Sequence, residues 1–324
     1  MKKLLVFLFI MIVSVSCYED YIYDNVYSGV YFPFQYNVRT FVVGEGMKVE
    51  VGVVLGGVRE NTVDRNINFE LRGSLVSPAS LTMMQQSTYG HIKDYVSTLT
   101  ELEQLPSNYY TLSNSNTIVI ETGQHTGTVT IIPDSVRFLT DESTIISRYV
   151  LPFYITEADA DSIIEPLRYA VIGFRYENML FGRYWHGGSA LVNRPGKADT
   201  TITYYTTIPS PDVKVWALTT FAPDSLYANG FLDQVTGKKE MKLALNGGTI
   251  AVVSSPSSTY EILPDGTSSF NRDKLLQNRK IFLKYSYINT SNGFTYHCTD
   301  TLTFRNRMRD GINEWQDEDP SHYK

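Results

Sequence analysis

Short runs in which apolar and polar residues alternate, each closed by glycine, proline, asparagine or aspartate, recur along this chain and commit it to β structure. MKVEVGVVL (Met47 to Leu55), INFELR (Ile67 to Arg72), TIVIE (Thr117 to Glu121) and GTVTII (Gly127 to Ile132) put every second side chain on one face, the pattern of a half-buried strand. Val30 to Phe32, RYVLPFYI (Arg148 to Ile155) and YAVIGFR (Tyr169 to Arg175) add further strands. Gly56 and Gly57 are expected to end the strand that begins at Met47, and Thr122 to His125 reads as a hairpin-like connection. Only His91 to Gln104 departs from the alternation, with apolar spacing that predicts a short helix or an ordered loop. Residues 29–176 therefore read as an antiparallel β-sandwich of immunoglobulin type.

A second unit is expected over 177–316. Runs at Phe181 to Val192, Asp199 to Ile208, Val213 to Thr220, Met241 to Leu245, Thr249 to Ser254, Tyr260 to Leu263, Lys280 to Ile288 and Phe294 to Arg305 follow one another across turn residues. Asn246, Gly247 and Gly248 form a tight-turn signal between two of them. Sequential antiparallel strands of this number suit an up-and-down barrel, which leaves no exposed edge; a second sandwich is the alternative. The opening Gly182-Arg183-Tyr184-Trp185 is similar to the Gly-X-Trp start of lipocalin-type barrels. The fold class expected is all-β, a sandwich followed by a lipocalin-like barrel, with residues 317–324 as a polar tail.

The N-terminus carries an address. Lys2 and Lys3 precede an apolar stretch, Leu4 to Val13, of signal-peptide length and too short to span a bilayer. Ser14-Val15-Ser16 then leads to Cys17. This is the order of a bacterial lipoprotein signal, in which the cysteine thiol is acylated and becomes the mature N-terminus, although Ser14 stands where leucine is usual. An ordinary secretory signal is the other reading, and both take the protein out of the cytoplasm. Residues 18–28 are expected to form a tether, with membrane contact through the lipid alone.

Composition excludes several functions. A net charge of −6 and a pI of about 5.4 offer no basic stripe for nucleic acid. With Cys17 acylated, Cys298 is left without a disulfide partner. The five histidines, His91, His125, His186, His297 and His322, lack metal-ligand spacing. His297 and Cys298 are neighbours in a strand, so their side chains point to opposite faces and form no dyad. Glu157, Asp159 and Asp161 would share one side of an extended segment, where a Ca²⁺ contact is conceivable beside the plainer reading of a solvated loop. With no nucleophile elbow, phosphate loop or paired-carboxylate run, no enzyme activity and no cofactor are expected.

Several blocks resemble a known family. VYFPFQYNVRT (Val30 to Thr40), LPSNYYTLSNSNTIVIETG (Leu105 to Gly123) and YVLPFYIT (Tyr149 to Thr156) are similar to an N-terminal domain of unknown function in Bacteroidetes surface lipoproteins of Sus-like polysaccharide-utilisation loci. YHCTDTLTFRNRMRDGINEW (Tyr296 to Trp315) resembles the end of a C-terminal domain that often follows it. Glu19 and Asp20 beside Cys17 resemble the surface-export signal of such lipoproteins. The resemblance implies an outer-membrane, cell-surface location near glycan-import proteins, and no catalytic residues.

Aromatic surplus, 23 Tyr and 16 Phe, supplies rings on which sugar C–H faces stack. Tyr184, Trp185 and His186 precede Gly187 and Gly188, and Tyr204, Tyr205 and Trp216 are expected on neighbouring strands reaching the same barrel mouth. These six are the candidate ligand contacts, with Trp185 and Trp216 as interior plugs the plainer alternative. Trp315 is expected to pack the C-terminus onto the barrel. The function expected is non-catalytic binding of a polysaccharide or oligosaccharide; the alternatives are a structural or protein-interaction subunit and a carrier of a small apolar ligand.

Overall fold

A computed structural model describes residues 26–205 and 213–316. The signal peptide, Cys17 and most of the expected tether lie outside the described residues, as does the 317–324 tail. The N-terminal unit contains β1 (Val26–Tyr31), β2 (Tyr36–Val43), β3 (Val49–Val58), β4 (Arg65–Leu71), β5 (Glu103–Gln104) and β6 (Tyr110–Leu112). It continues with β7 (Thr117–Ile120), β8 (Thr126–Pro133), β9 (Tyr149–Ala158), β10 (Ser162–Ile163) and β11 (Tyr169–Asn178). One sheet has the order β10-β1-β3-β8-β6, and the other β2-β11-β9-β4-β7 with β5 added beside β9. Between them Phe32, Phe41, Phe69, Phe138, Phe153 and Phe174 fill a phenylalanine-rich core.

This is the expected sandwich with several corrections. It is mixed rather than antiparallel: β1 with β10, β2 with β11 and β5 with β9 run parallel. The link from Thr122 to His125 is no hairpin, because β7 joins β4 in one sheet while β8 joins β3 and β6 in the other. Gly56 and Gly57 do not end β3; they lie within it, and Gly57, at φ +79°, passes so close to the Tyr27 carbonyl that a Cβ would meet the oxygen at 2.0 Å. Val26 to Ser28 are strand rather than tether, and Ser28 is tied to Asp161 by its amide (2.7 Å) and hydroxyl (2.6 Å).

Helices begin earlier than the apolar spacing indicates. α1 (Pro78–Gln85) starts where Ser77 caps the Ser80 amide and Pro78 takes the first turn, and α2 (Gly90–Val96) follows. Leu81, Met84, Ile92 and Val96 close a small core over Val38 of β2. Only the first part of His91 to Gln104 is helical, since Gln85 donates to the Val96 and Leu99 carbonyls and ends it there.

The second unit begins four residues after β11 with β12 (Gly182–Asn193), β13 (Thr200–Tyr204), β14 (Lys214–Ala222), β15 (Ser225–Ala228), β16 (Gly230–Phe231) and β17 (Gln234–Val235). Then come β18 (Met241–Asn246), β19 (Thr249–Ser254), β20 (Ile262–Pro264), β21 (Ser268–Phe270), β22 (Lys280–Asn289), β23 (Phe294–Arg309) and β24 (Ile312–Glu314). Successive antiparallel pairing of β12, β14, β15, β18, β19, β21, β22 and β23 ends with β23 pairing back to β12, so the sheet closes into a barrel. Gly188 permits the closure: a Cβ there would lie 2.2 Å from the Thr299 carbonyl oxygen. The Asn246 to Gly248 signal is the β18–β19 turn, with Gly247 at φ +63°.

A buried charge cluster locks the two units together. Glycines at positive φ, Gly44 and Gly46, present Glu45 from the β2–β3 turn to the base of the barrel. There Arg307 grips both carboxylate oxygens (2.9 and 2.7 Å), and Arg279 reaches one of them at 2.7 Å. Burial would raise the Glu45 pKa, but the two guanidinium groups outweigh it and hold the carboxyl below its ordinary value. Trp315 does not pack onto the barrel; it is 58% exposed, just beyond the short β24.

Candidate functional site

Inside the barrel the side chains of β12, β13, β14, β22 and β23 converge on one buried carboxylate. Asp300 accepts a hydrogen bond from the Tyr204 hydroxyl and another, at 2.7 Å, from Tyr285; His186 Nε2 lies 2.9 Å away. Trp216 stacks on one face of His186 (4.1 Å between ring centroids, 13° apart) and Tyr204 on the other (5.1 Å, 25°). Burial and the Asp300 charge push the Tyr204 phenol well above its usual pKa, and the same two effects act on Tyr285. A carboxylate this enclosed is acceptable only because hydroxyls and a ring nitrogen surround it. All five side chains are buried, and the His186 ring nitrogens and Trp216 Nε1 form no hydrogen bond with any described residue.

The six sequence candidates therefore separate. Tyr184, His186, Tyr204 and Trp216 are buried, because each follows the inward phase of its strand. Tyr184 donates to the Leu180 carbonyl (3.0 Å) and stands edge-on to Phe304. Tyr204 and Trp216 do come together, but in the interior through His186 rather than at a mouth. Trp185, on the opposite phase, is partly exposed, and Tyr205 is 61% exposed. Filling of the interior by these rings is what a small barrel requires.

An open groove lies elsewhere on the barrel, where β19 and β22 diverge. Near one end the gap between them is bridged by β21, and near the other by β20, which pairs with β22 and is tied to β19 through the Ser254 hydroxyl (2.6 Å from the Ile262 amide). The segment joining β19 to β20 forms one wall, and the β22–β23 hairpin forms the other. The cavity has a volume of about 830 Å³, within the range of ligand sites. Its floor is aromatic. Tyr287 of β22 is sandwiched between Tyr260 (5.1 Å, 22°) and its cross-strand partner Tyr296 (4.9 Å, 3°), and Phe231 meets Tyr260 and Tyr287 edge-on.

The first wall is built on Glu240, a buried carboxylate at the start of β18. It accepts from the Thr259 amide (2.6 Å), the Thr259 hydroxyl (2.8 Å) and the Thr236 hydroxyl (2.7 Å). Burial would raise its pKa, but these donors prevail and lower it, so the segment is organised around an ionised group. The opposite wall offers hydroxyls that bond to no described residue: Ser286, Thr290 and Thr295, with the phenol of the otherwise buried Tyr287 between the walls. Glu261 is exposed at the rim, and Leu263 and Ile288 supply apolar edges. Stacked rings, free hydroxyls and one free carboxylate suit a polyhydroxylated ligand. They supply no nucleophile–base pair.

Sequence reasoning missed this site. Tyr287 and Tyr296 were within reach of it: Tyr287 is in phase with Ile281 and Leu283, and Tyr296 with Cys298 and Leu302, so both rings point inward. Tyr260 and Glu261 come from a connecting segment whose path is set by Glu240, about twenty residues earlier, and no local pattern shows that. The other expectations resolve simply. Glu157, Asp159 and Asp161 turn to separate partners, Asn68, Asn66 and Ser28, and among the described residues no acidic or histidine cluster could hold a metal. Cys298 is a buried core residue whose thiol is pushed up by burial, and His297 faces outward to Asp265 at 2.7 Å.

Comparisons with known proteins speak to the fold. Residues 23–162 match a family model described only as an N-terminal domain. No protein of curated function matches the chain. Among solved structures, a Bacteroides ovatus protein of unknown function aligns over 90% of this chain and 98% of its own, with 21% identity and a TM-score of 0.64. Another Bacteroides ovatus protein of unknown function aligns over 90% of this chain and all of its own, with 15% identity and a TM-score of 0.42. The sandwich-plus-barrel arrangement is thus shared with the first of these Bacteroides proteins over nearly its whole length.

Proposed function

We propose that this chain is a cell-surface lipoprotein, held by acylated Cys17, that binds glycan without catalysis close to a polysaccharide import system. The observation that carries the reading is the barrel groove, about 830 Å³ in volume, floored by the stacked rings of Tyr260 and Tyr287, with Tyr296 stacked behind Tyr287, and walled by hydroxyls that bond to no described residue. Sugar rings present alternating apolar C–H faces and hydroxyl edges. An aromatic floor with polar walls meets both at once, and rings already held by stacking on one another do so with little entropy lost on binding. Each contact is weak, and many copies on one membrane give avidity. The signal-like sequence ending at Cys17 and the shared fold with a Bacteroides protein support the address.

Two experiments test this. A glycan array probed with the mature, lipid-free chain is expected to show binding to at least one plant, host or microbial polysaccharide; silence across all three classes would sink the proposal. Radiolabelled palmitate is expected to enter the wild-type chain in a bacterial host and not the Cys17→Ala variant. The spacer and interaction-subunit alternative draws on a different observation. The Glu45–Arg279–Arg307 cluster makes a stiff joint between the units, as a protein that positions a partner above a membrane requires.

A further inference from the structure

The charge around the groove narrows the ligand further, on the assumption that the glycan reading holds. Glu261 stands exposed at the rim with no hydrogen bond or ion pair to any described residue. Behind the same wall Glu240 is ionised and saturated by Thr259 and Thr236. Among the described residues no lysine, arginine or histidine lines the cavity. Lys284 stands two residues before Ser286 on the same outward face of β22, its stem beside Gly266 past the end of β20, while Lys239 lies over the Tyr227 ring and Lys242 over Phe221. On the far side of β20, Asp265 and His297 pair with each other at 2.7 Å.

We propose that the groove selects sugar chains by charge, taking uncharged ones and excluding polyanionic ones such as uronates and sulfated polysaccharides. Glu261 is the selecting residue. A carboxylate accepts hydrogen bonds from two adjacent sugar hydroxyls, and these are stronger than bonds between neutral groups. Ser286, Thr290 and the Tyr287 phenol can donate to the sugar's remaining oxygens. A ligand carboxylate or sulfate brought to the same rim meets a like charge, with no cation among the described lining residues to offset it. Since the rim is solvated, the exclusion is strongest at low ionic strength and fades as salt screens it.

The test begins with a neutral polysaccharide that binds the full chain in a panel of neutral and acidic polymers. Its primary hydroxyls are then oxidised to carboxylates, so that backbone and linkage stay the same. The oxidised polymer is expected to bind about five- to tenfold more weakly than its parent in low salt. That gap is expected to shrink both with added salt and in Glu261→Gln, an exposed substitution that leaves the fold intact. Tyr260→Ala should weaken binding of both polymers about tenfold. Equal or tighter binding of the oxidised polymer overturns charge selection while leaving glycan binding in place, as does a penalty of equal size in Glu261→Gln. Binding confined to acidic polymers in the panel overturns it too. No binding by any polymer overturns the glycan reading, and charge selection with it.

Discussion

The barrel contains two three-ring stacks built from the same chemistry, and they do opposite things. In the interior, Trp216, His186 and Tyr204 stack around Asp300, and the Tyr204 and Tyr285 hydroxyls are both used up on that carboxylate. At the groove, Tyr260, Tyr287 and Tyr296 stack in the same manner, but no described residue takes the Tyr260 or Tyr287 hydroxyl. The acidic residue beside each stack differs in the same way, with Asp300 enclosed by donors and Glu261 free at the rim. Ring stacking alone therefore does not mark a binding site. What distinguishes the two is access: the interior rings are buried, whereas Tyr260 and Tyr287 border open space with hydroxyls that bond to no described residue.

The largest effect expected from this contrast is on stability. Trp216→Ala removes a fully buried ring that packs on His186 and against Gly230, and should cost about 3–5 kcal/mol in urea unfolding. Asp300→Ala should cost a similar amount, because two buried phenols lose their common acceptor, at about 1–3 kcal/mol for each buried group left unpaired. A groove substitution as costly as these would erase the distinction between the stacks.

The next effect is on binding. Tyr260→Ala should weaken glycan binding about tenfold, a loss of roughly 1.4 kcal/mol, while the unfolding midpoint moves little because this ring is only partly buried. Tyr287→Phe keeps the stack and removes only the free hydroxyl, and should weaken binding by a smaller factor. Acidification sharpens the comparison further. Glu240 has a folded pKa below its unfolded value of about 4.3, so its contribution is present above that pH and is lost as pH falls through the folded value. Glycan binding should thus weaken below about pH 4, and Glu240→Gln should lose that step. Tyr205→Ala, an exposed residue outside both stacks, should change stability by less than about 0.5 kcal/mol and leave binding unaltered.

The distinction between the two stacks also explains how far the sequence could be read. Alternation placed most strands, since one buried face per strand is a local property. Parallel pairing of β2 with β11 was hidden, because it joins segments more than a hundred residues apart and leaves the same alternation as an antiparallel pair. The strands at Tyr36–Val43 and Ser225–Ala228 were missed, one being read only as part of a family block and the other being very short. Clustered Tyr, Trp and His drew attention to the interior stack, since a dense aromatic motif looks the same whether its rings are buried or border open space. The Tyr204 hydroxyl, in turn, is bonded to Asp300, nearly a hundred residues beyond it. The groove is assembled from Glu240, Tyr260, Tyr287 and Tyr296, none of which stands out alone.

Glycan binding by wild-type chain, Tyr260→Ala and Tyr205→Ala, titrated side by side against the strongest array hit, tests the central claim most directly. The account predicts full affinity for wild type and Tyr205→Ala, a loss of about tenfold for Tyr260→Ala, and the same unfolding midpoint for all three. Undiminished binding by Tyr260→Ala would contradict it.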